Sequence, residues 1–168
     1  MTWVTLGLLL LCAASSFGEL EEVPEGGITY KVKYDVNQFI VHAQDLGYDL
    51  KEARSWFYLR DHPPSILTIA NFDPEFTINM VRKDLNCLVR FKSGVQFNKA
   101  NFLFFKAAKS VYTVEANVIR GVDIFDKSGE QLMFVATLKR RGLELVIATK
   151  SRTSKFYFPV ATAADIDP

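Results

Sequence analysis

The chain has 168 residues, of which 49% are hydrophobic and 13% aromatic, with a formal net charge of +1. That composition excludes a disordered polypeptide, and the near-zero charge gives no basis for nucleic-acid binding. Two cysteines, Cys12 and Cys87, are too few for a disulfide scaffold.

The first element is a leader. Residues 5–12 (TLGLLLLC) are apolar, small residues follow as far as Gly18, and Glu19 begins an acidic stretch. The run is too short to span about 30 Å of hydrocarbon, so a signal peptide over 1–18 and a secreted, extracellular product are expected. Cys12 leaves with the leader. Cys87 then has no intrachain partner and is buried, reactive or bonded to another molecule, a dimer included.

Residues 28–34 (ITYKVKY) alternate as a strand. At Asp35 the period changes. Asp35 can cap a helix with Gln38 three residues on, and Val36, Phe39, Ile40, Ala43 and Leu46 share one face, with Gly47 as the stop. A second helix starts after Asp49, with Glu52 completing a capping box and Leu50, Ala53, Trp56 and Phe57 as its apolar stripe. Pro63 and Pro64 end it.

Strand pairs follow. Residues 65–71 and 76–82 flank Asp73-Pro74-Glu75; 86–91 and 95–98 flank Lys92-Ser93-Gly94; 119–125 and 131–138 flank Asp126-Lys127-Ser128-Gly129; and 143–149 follows Arg140-Arg141-Gly142. Residues 99–109 (KANFLFFKAAK) read as a short helix, with Phe102, Phe105 and Ala108 on one face. A last strand covers 155–160. The expected fold is α+β, an antiparallel β-sheet with helices packed against it. It divides into the leader (1–18), an N-terminal strand and helical segment (19–64), a sheet domain (65–160) and a tail (161–168).

Catalytic residues are scarce. His42 and His62 have no neighbouring ligands at metal spacing, Cys87 sits in a strand, Asp123 and Asp126 read as turn chemistry, and no glycine-rich phosphate loop is present. Neither an enzyme nor a metal or cofactor is expected. The aromatic residues offer more. Exposed members of the set Phe104, Phe134, Phe156 and Phe158 would form a surface for a peptide or an apolar ligand. Beside them, Lys139, Arg140 and Arg141 at one turn and Arg152 beyond the next strand could clamp an acidic segment, with Glu19, Glu21, Glu22 and Glu25 as an intramolecular occupant.

From Asn71 onward the chain resembles a BRICHOS domain. Asn71-Phe72-Asp73 is similar to that family's aromatic–acidic start, and Cys87 follows at the distance of its first cysteine. Tyr112-Thr113-Val114 and the glycine-led strand from Gly142 match later motifs. Two positions depart: Thr149 stands near the family's second cysteine, and Val81 replaces its usual acid. The resemblance implies a secreted, non-enzymatic, chaperone-like or pro-domain-like module that holds extended β-prone segments of a polypeptide client, here supplied in trans, without stable membrane insertion. The alternative is an extracellular carrier enclosing a lipid or other apolar small molecule, with an ependymin-like or lipoprotein-carrier-like fold.

Overall fold

The computed structural model describes residues 20–33, 35–57, 65–82 and 85–166. The leader, Glu19, and the helix stop at His62, Pro63 and Pro64 lie outside the described residues.

Among the described residues ten strands form two antiparallel sheets. β1 (Ile28–Val32), β2 (Ser65–Phe72), β3 (Glu75–Arg82) and β4 (Leu85–Phe91) make the first, in chain order. β5 (Gln96–Ala100), β6 (Ala107–Glu115), β7 (Val118–Phe125), β8 (Gln131–Lys139), β9 (Gly142–Ala148) and β10 (Thr153–Pro159) make the second, each paired with the next. Helices α1 (Val36–Asp45) and α2 (Leu50–Phe57) lie between β1 and β2, and a single turn, α3 (Ala163–Ile166), follows β10. Among the described residues no helix is long and apolar enough to cross a membrane.

Burial alternates with a period of two along most strands, the mark of a sheet with one face inward. Inward residues of both sheets, among them Leu67, Ile78, Val89, Tyr112, Phe134 and Leu145, form one continuous core. The sheets join on one side, where Tyr30 bridges to Val160 and the Ala161 amide donates to Thr29 O at 2.8 Å. Lys31 is ion-paired with Asp165 at the same place.

On the other side β4 pairs with β3 alone and β5 with β6 alone. Side chains fill that seam: Phe91 stacks on Phe97 at 5.9 Å, and the Cys87 thiol points at Ala100 O, 3.5 Å away.

The α+β expectation is corrected by this arrangement. Strands dominate, two sheets enclose the core, and the helices cover one end instead of lying on a sheet face. Residues 86–91 and 95–98 do not form a hairpin, because the turn at 92–94 hands the chain to the second sheet: Gly94 N donates to Tyr112 O at 2.8 Å. The short helix over 99–109 is also overturned. Those residues are the end of β5, a buried turn and the start of β6, and the alternation of Ala108, Ser110 and Tyr112 into the core outweighs the helical preference of alanine and lysine. The hairpins around 73–75, 126–129 and 140–142 are present as β2–β3, β7–β8 and β8–β9.

Gly121 shows how tightly the interior is filled. The Phe134 ring on the paired strand lies against this residue, and a Cβ there would fall inside the ring. Phe134 in turn meets Tyr112 edge-on at 4.9 Å and Phe102 at 5.4 Å. Gly121→Ala is expected to lower the unfolding free energy by about 1–3 kcal/mol, read by urea denaturation.

Candidate functional site

The candidate site is the enclosed interior beneath α1 and α2, where those helices close one end of the barrel. Asp35 caps α1 by accepting from Gln38 N at 3.3 Å, and Asp49 does the same for α2 from Glu52 N at 2.7 Å. Just past the C-cap Leu46 of α1, Gly47 turns the chain at a φ of 88° that favours glycine. Its buried face carries Phe39, Ile40, His42 and Ala43. Phe39 packs on Phe156 at 4.7 Å and on Phe104 at 5.8 Å, and Tyr48 meets Phe125 edge-on.

Three rim turns hold the helices down. At the β9–β10 turn, His42 Nδ1 lies 2.9 Å from Thr149 Oγ1 and Nε2 lies 2.9 Å from Ser154 Oγ. Thr149 donates to Asp45 at 2.6 Å, as does Ser151, and Arg152 pairs with Asp45 at 3.4 Å. Because the Thr149 proton goes to Asp45, its oxygen accepts from His42; the imidazole proton therefore sits on Nδ1 and Nε2 accepts from Ser154. At the β7–β8 turn, Ser128 donates to Leu46 O at 2.7 Å. Glu52 takes Lys127 from that turn at 3.1 Å and Lys106 from the β5–β6 turn at 3.3 Å.

The β5–β6 turn is folded into the barrel. Asn101, Phe102, Leu103 and Phe104 are all buried. Asn101 Oδ1 accepts from the amides of Leu103 and Phe104, at 2.8 and 2.9 Å, while its Nδ2 donates to Asp123 at 2.9 Å. Asp123 also accepts from Ser110 and, at 2.9 Å, from Tyr112. Burial pushes its pKa up against the opposing pull of those three donors. Phe105 closes the turn at a φ of 55°, a left-handed conformation that strains a bulky residue.

The sequence-predicted site residues therefore separate. Phe104, Phe134, Phe156 and Phe158 are brought together, but inside the core and not on an exposed face. Lys139, together with Lys155, pairs with Glu144, and Arg152 is committed to Asp45; Arg140 and Arg141 are exposed. Of the acidic occupant, Glu25 is elsewhere, bridged to Asn71 at the end of β2. The reading of a surface that holds peptides thus loses its apolar face. Asp123 is a further correction: it is an inward residue of β7, not turn chemistry, and its place on the apolar side of an alternating strand was the signal to read. Among the described residues no group of three or more His, Cys, Asp and Glu could hold a metal ion. A groove of about 400 Å³ lies outside the barrel, on the outward face of the first sheet, between Phe72, Asn79 and Arg90.

No protein-family model matches the chain, and no curated protein is similar to it in sequence. Solved structures are similar in fold. A fatty-acid-binding protein from Manduca sexta aligns with a TM-score of 0.65 at 19% identity, over 79% of this chain and 97% of the other. A fatty-acid-binding protein from brain tissue of Drosophila melanogaster gives 0.63 at 17%, over 78% and 95%. One from Schistosoma mansoni, in complex with arachidonic acid, gives 0.65 at 11%, over 83% and 96%. The chain has the two-sheet β-clam fold of these proteins. The BRICHOS resemblance is overturned: Asn71, Phe72, Cys87 and Tyr112, which carried it, occupy β2, β4 and β6 of this barrel.

Two measurements check this site. Burial raises the Cys87 pKa, with Lys99 opposing and Asp123 reinforcing the shift, so the native thiol should react with iodoacetamide at least about 100-fold more slowly than the unfolded one. Burial also lowers the His42 pKa below its ordinary 6.5, Asp45 opposing and Arg152 adding to the shift. The unfolded chain then takes up a proton before the native one does. Unfolding free energy should be level above about pH 7 and fall as pH drops through the histidine range. Urea denaturation between about pH 7.5 and 5.5 should show that fall, and His42→Gln should flatten it.

Proposed function

We propose that the protein is an exported, non-enzymatic carrier that encloses an apolar ligand, a lipid above all, between its two sheets. The observation that carries this reading is the two-sheet fold shared with proteins named for fatty acids, its aromatic and aliphatic core lying between the sheets under the helices. A site of that kind gains affinity from apolar area removed from water, about 25 cal/mol per Å².

The interior is occupied by the protein's own side chains, so a ligand takes space by displacement. The β5–β6 turn is the part that gives way: Phe102 and Phe104 fill the centre, and the strained Phe105 backbone favours release. Phe104→Leu, which shortens the turn's filling, is expected to increase lipid uptake.

The test is native mass spectrometry of the secreted protein together with titration by a fluorescent apolar dye. Retained lipid, and dye binding at micromolar concentration that added long-chain lipid reverses, are the expected results. Protein that neither retains lipid nor binds dye would refute the carrier reading.

A further inference from the structure

We propose that the interior is built for an uncharged lipid, such as a long-chain alcohol, aldehyde or ester, and that the Tyr30 hydroxyl binds its polar head. This deepens the carrier reading above and rests on it.

Tyr30 stands on β1, directed into the core and fully buried. Its hydroxyl has no hydrogen-bond partner among the described residues. A buried hydroxyl left alone weakens the fold that contains it, so packing gives no reason for tyrosine over phenylalanine. It can both donate and accept, which suits an alcohol or a carbonyl.

The charges point to the same class. Among the described residues no lysine or arginine is buried, and the buried carboxyl is Asp123. Arg82 and Lys99 share the inward register only at strand ends: Arg82 is half-buried with its guanidinium over the Phe105 ring, and Lys99 is exposed. A carboxylate drawn into this interior would lose its hydration, meet no buried cation and share the space with Asp123. An uncharged head escapes all three penalties.

The test uses the full chain and Nile red, an uncharged apolar dye, displaced by dodecan-1-ol or by sodium dodecanoate at about pH 8, where the acid is ionised. The alcohol should compete at a concentration about tenfold or more below that of the acid, and the gap should narrow as the pH approaches the acid's own pKa. Tyr30→Phe, which removes one unpartnered oxygen, should keep or raise its thermal midpoint while losing about three- to tenfold in affinity for the alcohol, with competition scaled to the variant's own dye affinity. The alcohol-to-acid comparison needs no variant and stands if the substituted protein does not fold. Dodecanoate competing as well as dodecanol would overturn the inference and leave the carrier reading intact, because dye and lipid still bind. A folded Tyr30→Phe protein with unchanged alcohol affinity would overturn the role of Tyr30. If dye, alcohol and acid all fail to bind, the carrier reading falls and takes this inference with it.

Discussion

Ring-on-ring packing across the space between the sheets is the interaction on which the remaining architecture rests. Phe91 belongs to the first sheet and Tyr112 to the second, and they meet edge-on at 5.1 Å. Tyr112 passes the contact to Phe134, Phe134 to Phe102, and a second set runs from Phe156 through Phe39 to Phe104. Each such pair adds about 0.5–1.5 kcal/mol beyond the area it buries. The glycine at 121, the inward fold of the β5–β6 turn and the seating of α1 all follow from where these rings lie. Backbone pairing alone would not hold the sheets together, because among the described residues they share a short bridge at Tyr30 and Val160 and the neighbouring Ala161-to-Thr29 bond.

An interior of this kind makes every polar group in it expensive, and the chain meets that cost in different ways. Asp123 is met by three donors, one of which fixes a turn. His42 is held between two hydroxyls and joins a helix to the rim. In both places the polar group specifies geometry that apolar packing would leave open. The Tyr30 hydroxyl has no partner among the described residues, which is what separates it from the other two.

Local elements were legible in the sequence because local forces decide them. The helical period from Val36 and the caps at Asp35 and Asp49 stand where the residues placed them, as do three of the hairpin turns. What failed depends on partners distant in the chain. Residues 99–109 carry good helix formers, yet Ala108 is drawn into register with Phe125 and Asn101 into contact with Asp123. The turn at 92–94 looks like its neighbours, but the chain there changes sheets, and nothing local says which strand will receive it. Aromatic content singled out Phe104, Phe134, Phe156 and Phe158, but whether they faced in or out depended on the packing of one sheet on the other. Asp123 was visible as a carboxyl among inward positions, a signal that the nearby turn obscured.

The parting of β4 from β5 has a consequence for life among other copies of the same chain. Each of these strands presents one edge of backbone amides and carbonyls without a ladder partner, the feature by which sheets recruit one another into aggregates. Charged side chains stand along this parting: Arg90 on β4, Lys92 just after it and Lys99 on β5 are all exposed, while Phe91, Phe97 and Cys87 turn their apolar surface inward. Like charges on both lips make an incoming strand costly to add. The unpaired edges at this seam are thereby kept from becoming a template.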